Sequence, residues 1–292
     1  MLSLYLYATE FVMKKETAHR TGRSAGKVIR GVLLLSFSAG LLLGLYKCFH
    51  IVNMNRTAQE AYTQLSAVIP HMTVADTPEK EPAENNSLDI SDDGCSHSGK
   101  KRRRSIDFAE LQKNYPEIEA WIRAAEIGID YPVMQTDNNA FYLTHLHDGS
   151  LNANGAIFID CNNADAFRDR NTVIYGHNMR SGAMFHSLNE YQAQDFYDAC
   201  PTMMLYTPEG DYLVELICGT IEDGNYSFVK FNFDNTEEFL MYVNQLRARS
   251  TFRSEAEVQP GDRLISMCTC NYGRQTNGRY MLIGRLVELY EA

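Results

Sequence analysis

Residues 263–289 read RLISMCTCNYGRQTNGRYMLIGRLVEL. Two runs rich in Leu, Ile and Met flank the polar loop NYGRQTNG, a pattern typical of two buried β-strands joined by a turn. Further short apolar runs precede them: IGIDYPVMQ, GAIFID, NTVIYG, TMMLYT and DYLVELICGTI. Because few helical patterns lie between these runs, the sequence predicts a mainly β domain, folded as an antiparallel barrel or sandwich.

Two segments break the β pattern. Residues 107–124 have apolar side chains at helical intervals: Phe108, Leu111, Ile118, Trp121 and Ile122. They predict a helical N-terminal segment in two pieces, separated at Pro116. Residues 232–250, NFDNTEEFLMYVNQLRARS, predict a second helix with Asn235 or Thr236 as its N-cap. This helix would lie in the connection before the strand that ends near Cys270.

The N-terminal region has the pattern of a membrane anchor. Residues 31–46, GVLLLSFSAGLLLGLY, contain no charged side chain, and CFHIV extends the apolar stretch beyond Lys47 to residue 52. A bilayer core needs about 20 residues of helix, so residues 31–52 predict a transmembrane span if Lys47 reaches the outer interface. Several basic residues precede the span: Lys14, Lys15, Arg20, Arg23, Lys27 and Arg30. This excess predicts a cytoplasmic N-terminus, residues 1–30, and an extracellular remainder.

Two alternatives stay open for this region. A cleaved signal peptide has an apolar core of similar length, although no A-x-A-type cleavage site follows Tyr46. Translation is also predicted to start at either Met1 or Met13, because Met13-Lys14-Lys15 makes the more ordinary beginning to a basic cytoplasmic flank.

Residues 53–105 are predicted to connect the membrane to a folded domain. Ala58, Ala61, Leu65 and Val68 have helical spacing and predict a short helix over residues 55–72. Residues 73–105 are polar and acidic, with too little apolar surface to fold by themselves, and end in the basic run KRRR. We therefore expect an extracellular helix and a flexible linker over residues 53–105, followed by one domain over residues 106–292.

Charge and cysteine content exclude two classes. The net charge of −10 leaves no excess of Lys and Arg to neutralise phosphates, which argues against a general nucleic-acid function. The seven cysteines are odd in number and irregularly spaced: Cys48, Cys95, Cys161, Cys200, Cys218, Cys268 and Cys270. They do not form the pattern of a disulfide framework. Unpaired thiols in an extracellular domain indicate that at least one serves chemistry, whereas Cys161, Cys200 and Cys218 are most simply core residues.

Three residues at predicted strand ends have complementary chemistry: His177 in VIYGHNM, Cys270 at the end of LISMCTC, and Arg279 in GRYMLIGRL. A thiol, an imidazole and a guanidinium supply a nucleophile, a proton carrier and a fixed positive charge for acyl transfer. Arg274 and Arg285 compete for the role of the cation, but the first lies in the loop and the second near the far end of its strand. His145, His147 and His186 are more simply surface or structural residues.

The pair Cys268 and Cys270 needs a choice. Residues two apart in a strand share a face, so both thiols are candidates to line one site. Cys270 lies next to the polar loop, where a peptide can reach it, and a buried structural thiol fits Cys268 better. A Cys-x-Cys redox or metal site is the alternative, which the lack of a second cysteine pair nearby disfavours.

These residues resemble those of the sortases, the cysteine transpeptidases that attach surface proteins to the Gram-positive cell wall. Their nucleophile motif is usually written TLxTC, and residues 266–270 read SMCTC, matching at Thr269 and Cys270. The resemblance runs from about Asp107 to the C-terminus. It implies an eight-stranded barrel, and the helix over residues 232–250 is typical of class B. It also implies that Cys270 is the nucleophile, with His177 and Arg279 as the other catalytic residues and no cofactor or metal.

The resemblance further implies the reaction and the partners. A class B sortase cleaves the sorting signal of a secreted protein and transfers the acyl group to an amine of the peptidoglycan precursor or, less expectedly, to a pilin lysine. Two other classes stay open. A wall-modifying L,D-transpeptidase or cysteine peptidase would use the same residue types, although the former usually has Arg immediately beside its Cys. A non-enzymatic sensor or adhesin with a membrane anchor would not need Cys270 or His177.

Overall fold

The computed structural model describes residues 2–68, 106–225, 229–273 and 277–289, with side chains described for residue 30 and from residue 32 onward. By its internal contacts the chain divides into two compact units, Met1–Arg56 and Thr57–Ala292. Arg274, one of the alternatives to Arg279, and the predicted linker over residues 73–105 lie outside the described residues.

Helix α1, Leu2–Val68, makes up the first unit as far as Arg56, and its last turns, from Thr57, belong to the second unit. Within α1, the segment Val32–Ala67 is long and apolar enough to cross a membrane by length and composition, with a mean hydropathy of 1.8 over its 18-residue window. Its large apolar side chains between Val32 and Val52 are exposed. The predicted helix over residues 55–72 is therefore part of this longer helix up to Val68.

The second unit is a closed barrel of eight strands, in the order β1-β2-β3-β4-β7-β8-β6-β5. The strands are β1 (Ile118–Ala124), β2 (Ile129–Met134), β3 (Ile157–Ile159), β4 (Asn171–Tyr175), β5 (Thr202–Tyr206), β6 (Asp211–Asp223), β7 (Leu264–Asn271) and β8 (Gly278–Glu288). The α-helices of this unit are α2 (Phe108–Asn114), α3 (Gln194–Ala199) and α4 (Thr236–Ala248). Short 3-10 helices cover Ala125–Ile127, Phe141–Leu143 and His186–Gln192. The predicted eight-stranded barrel is confirmed.

The barrel is mixed rather than purely antiparallel. β2 pairs with β3 in parallel, and so does β4 with β7, while the other pairs are antiparallel. A parallel pair requires a long crossover, and the connection from β4 to β7 includes two other strands and α4. The predicted antiparallel arrangement was therefore wrong for these two pairs, because strand patterns in a sequence do not reveal which strands become neighbours.

The second half of the predicted N-terminal helix is strand β1. Only Phe108–Asn114 is helical, capped by the Asp107 carboxylate, which accepts a hydrogen bond from the Glu110 amide. In β1 the register shifts between Ile118 and Ala120, a bulge that lets Ile118 and Trp121 join the same apolar cluster. Both faces of β1 are buried, so its apolar residues imitate the spacing of a helix.

Helix α4 agrees with its prediction. Asn235 is the N-cap, and its side chain accepts a hydrogen bond from the Glu238 amide. Phe239, Val243 and Leu246 are buried and pack with Met281 and Ile283 of β8 on the outer face of the barrel. The helix therefore covers the outer face of β8, the strand that begins beside Arg279.

Candidate active site

Strand register brings His177 and Cys270 to the same rim of the barrel. β4 and β7 run in parallel with Tyr175 opposite Cys268, and the Gly176 amide donates to the Cys268 carbonyl at 3.1 Å. His177 and Cys270 each lie two residues beyond that pair, where the carboxyl ends of the two strands meet. β8 is antiparallel to β7 and places Arg279 directly opposite Cys270. The three predicted residues therefore lie at the ends of three adjacent strands.

The site is on the outer face of the barrel at this rim. Met267, Tyr280 and Leu282 belong to the cluster that fills the barrel. Because side chains alternate along a strand, Cys268, Cys270 and Arg279 point away from it. Neighbours directly opposite on one face of an antiparallel pair have Cβ atoms about 4.5–5.5 Å apart, so the thiol and the guanidinium of residues 270 and 279 start from adjacent positions.

The two neighbouring thiols have different environments. Cys268 is only 2% exposed, and burial raises the pKa of its thiol to about 12, against an opposing effect of the Arg279 charge. It is therefore a neutral thiol at physiological pH. Cys270 is partly exposed at the end of the strand, so it is the thiol that a peptide can contact.

Two asparagines hold the backbone of Cys270. The Asn178 side-chain amide donates to the Cys270 carbonyl at 2.8 Å, and that of Asn189 donates at 3.3 Å. Asn178 is in turn oriented by His186, whose Nδ1 lies 2.7 Å from the Asn178 Oδ1. Sequence reasoning missed both asparagines; the only signal was the position of Asn178 immediately after His177.

His177 is half-buried, with Nε2 2.8 Å from the main-chain carbonyl of Leu143. A carbonyl can only accept, so this contact places the proton of the neutral ring on Nε2 and leaves Nδ1 as the free base. Among the described residues, neither ring nitrogen hydrogen-bonds to Cys270 in this state. Catalytic contacts often form only when substrate is bound.

Arg279 is partly buried, and the hydrogen bonds that it makes to described residues all go to neutral acceptors. Its Nη1 donates to the Asn277 side-chain oxygen at 2.8 Å and to the Gly278 carbonyl at 3.1 Å. The carboxylate opposite it on β6 is Glu222, which instead pairs with Arg249 at 3.1 Å. No described carboxylate forms an ion pair with Arg279. Within the described parts of the chain, the N–H groups of Nη2 and Nε have no acceptor, so they and the charge can serve a ligand.

Arg285, the other described alternative, is committed elsewhere. It pairs with Glu215 at 2.7 Å and with Asp262 at 3.3 Å, near the opposite end of β8.

Most of the histidines and cysteines that were predicted to be surface or structural residues also make contacts of their own. His145 stacks on Phe141, and its Nδ1 lies 2.8 Å from the Phe141 carbonyl. Cys218 is buried, whereas Cys161 and Cys200 are only partly so. The described residues contain no group of three or more His, Cys, Asp or Glu that could hold a metal ion.

Comparison with known proteins identifies the family. A model described as the sortase domain matches residues 122–287, more than half of the chain. The chain belongs to the sortase family. Sortase B of Listeria monocytogenes is 32% identical to this sortase over 182 residues, which span 62% of this chain and 74% of that protein.

Solved structures agree with this assignment. Sortase B of Clostridium perfringens has a TM-score of 0.58 at 28% identity, covering 62% of this chain and 100% of that one. A Staphylococcus aureus sortase B–substrate complex has a TM-score of 0.59 at 23% identity, covering 63% of this chain and 85% of that one, which shows a shared fold. This sortase is therefore a class B cysteine transpeptidase with the barrel of its relatives.

Proposed function

We propose that this sortase is a membrane-anchored transpeptidase that cleaves the sorting signal of secreted proteins through Cys270 and transfers the acyl group to a cell-wall amine. The observation that carries the proposal is the register of three neighbouring strands, which places His177, Cys270 and Arg279 at one rim of the barrel. The exposure of Cys270, compared with the burial of Cys268, supports it as the nucleophile.

In the acylation step the Cys270 thiolate attacks a backbone carbonyl of the sorting signal. We expect this carbonyl to be that of Thr, so that the peptide is cleaved after this residue. A carbon–sulfur bond forms and the carbonyl electrons move to oxygen. Arg279 donates to this oxyanion, because its guanidinium has donors left and no described carboxylate neutralises it. The tetrahedral intermediate then breaks its carbon–nitrogen bond, and Nδ1 of His177 gives the departing amine the proton that it took from the Cys270 thiol when the thiolate formed.

In the second step an incoming amine attacks the thioester and Cys270 leaves as thiolate. His177 accepts the proton that the amine loses, so the enzyme returns to its starting state. The Leu143 carbonyl supports both transfers, since it holds Nε2 and leaves Nδ1 to exchange the proton. The acceptor is proposed to be the amine of a peptidoglycan precursor, or less expectedly a pilin lysine. Water competes for the thioester, and its exclusion from the site favours transfer over hydrolysis.

The proposed location follows from α1. Residues 31–52 would span the membrane, with the basic residues 1–30 in the cytoplasm and the barrel outside. The exposed apolar side chains between Val32 and Val52 support this anchor, because they would otherwise face water. In this arrangement the active site faces secreted proteins and the cell wall.

Product analysis tests the proposal. The full chain in detergent is incubated with a library of fluorogenic, Thr-containing sorting pentapeptides, with and without triglycine as an unhindered amine. Cleavage after Thr, with a ligated peptide–triglycine product, is expected. Hydrolysis of every peptide without any ligated product would indicate a cysteine peptidase. Absence of both products over the whole library would favour a sensor or adhesin.

A further inference from the structure

The last turns of α1 place a tyrosine inside the catalytic unit. Tyr62 is 6% exposed, and its hydroxyl donates to the main-chain carbonyl of Gly155 at 2.8 Å. Burial raises the pKa of this phenol well above its usual range, so it stays protonated and remains a donor at any physiological pH. Tyr62 lies outside residues 122–287, the part matched by the sortase family model.

Gly155 packs directly against the surroundings of His177. Its φ is +61°, and a Cβ at this position would lie 2.4 Å from the Tyr142 carbonyl oxygen, 3.1 Å from the Leu143 carbonyl oxygen and 3.2 Å from Cδ2 of His177. The next residue, Ala156, donates its amide to the Tyr142 carbonyl at 2.9 Å. The backbone held by Tyr62 therefore borders both the His177 ring and the Leu143 carbonyl that accepts from Nε2.

A second series of contacts links Tyr62, through Tyr131, to the backbone of His177. Its ring packs edge-on against Tyr131, with centroids 5.2 Å apart and planes at 85°. The Tyr131 hydroxyl accepts a hydrogen bond from the Met184 amide at 3.2 Å, and the following residue, Phe185, donates its amide to the His177 carbonyl at 3.0 Å. Tyr62 thus contacts Gly155 and Tyr131, and these two residues adjoin the groups that hold the ring and the backbone of His177.

We propose that Tyr62 is a positioning residue for the His177 imidazole, so that the end of α1 is a functional part of the active site. The inference rests on the catalytic role proposed for His177. Tyr62 does not touch His177 or Cys270 itself and acts through Gly155 and Tyr131. Loss of its hydroxyl releases the Gly155 carbonyl, and with it the spacing between the His177 ring and the Leu143 carbonyl.

The test compares Tyr62→Phe with Tyr191→Phe in the full chain. The control is matched, because the Tyr191 hydroxyl also donates at 2.8 Å to a main-chain carbonyl, that of Cys200, and its side chain is buried in the same core cluster. The probe is the fluorogenic peptide that the unmodified chain cleaves fastest. Tyr62→Phe is expected to lower kcat about 5- to 10-fold with KM unchanged, as the loss of one buried hydrogen bond implies. Tyr191→Phe is expected to keep kcat within about twofold.

A spectroscopic readout separates positioning from stability. With carbon-13 histidine, the Cδ2–Hδ2 signal of His177, assigned with a His177→Ala variant, should shift in Tyr62→Phe and stay in place in Tyr191→Phe. If Tyr62→Phe does not fold, Tyr131→Phe replaces it, since it removes the acceptor of the Met184 amide and should move the same signal. Unchanged kcat and an unchanged signal in the folded variant, or equal losses of kcat in both tyrosine variants, would overturn the inference. An unmodified chain without transferase activity would instead refute the proposed function. The His177 signal would still show whether Tyr62 positions the imidazole ring.

Discussion

Replacing Arg279 separates its charge from its geometry. Its hydrogen bonds to residues that the structure describes leave from Nη1 alone, so Nη2 and Nε can donate to an oxyanion in the fork that only a guanidinium provides. Removing one such donor typically costs about 2.7–4 kcal/mol of transition-state stabilisation. Arg279→Ala is therefore expected to lower kcat about 10²- to 10³-fold. Arg279→Lys keeps the charge without the fork and should still lose at least about tenfold.

The loss of activity in Arg279→Ala should not be accompanied by a loss of folding stability. The neutral acceptors of Arg279 are the neighbouring residues Asn277 and Gly278, so Arg279→Ala should change the free energy of unfolding by about 0.5 kcal/mol or less. Arg285→Ala is the matched control on the same strand: it breaks two partly buried ion pairs and should cost roughly 1 kcal/mol of stability while leaving kcat unchanged. The assays are steady-state cleavage of a fluorogenic sorting peptide and urea unfolding. A folded Arg279→Ala chain with near-normal kcat would refute the reasoning and leave the oxyanion to backbone donors.

Three further predictions concern the carboxylate opposite Arg279, the N-cap of α4 and the orientation in the membrane. Arg249→Ala leaves the buried Glu222 carboxylate without its cation, so Glu222 should pair with Arg279 across the sheet and lower kcat about tenfold; adding Glu222→Gln should restore activity. Asn235→Ala removes the N-cap of α4 and should lower the free energy of unfolding by about 1 kcal/mol, measured by urea titration, whereas Asn235→Ser should retain most of the stability. Protease added to intact protoplasts should remove the barrel from the membrane, and full protection of the barrel would contradict the proposed orientation.

Local features of the fold could be predicted from the sequence where one segment carries the whole signal. Helix α4 has both an apolar face and its own N-cap, so its presence and its cap follow from neighbouring residues, although it covers only Thr236–Ala248 of the predicted residues 232–250. The runs that became β2 to β8 are likewise visible as short apolar stretches between turn residues. β1 imitates a helix in the sequence, because a bulge and burial on both faces remove the alternation that marks a strand.

Long-range pairing could not be predicted in the same way. The Asn178 and Asn189 contacts to Cys270 join residues 92 and 81 positions apart, and no periodicity in either segment indicates them. The same holds for Tyr62, which bonds to a residue 93 positions away. The candidate triad was accessible because each member lies at the end of its own apolar run. Their convergence required the strand order β4-β7-β8, which only the folded chain reveals.

The most direct test of the account is the identity of the thiol that carries the acyl group. The full chain, Cys268→Ala and Cys270→Ala are each mixed with a Thr-containing sorting peptide, quenched in acid, and measured by intact mass and peptide mapping. Because only an accessible thiolate attacks, we expect an acyl-enzyme on Cys270 in the unmodified chain and in Cys268→Ala, and none in Cys270→Ala. An adduct that maps to Cys268, or that persists in Cys270→Ala, would contradict the assignment of Cys270 as the nucleophile.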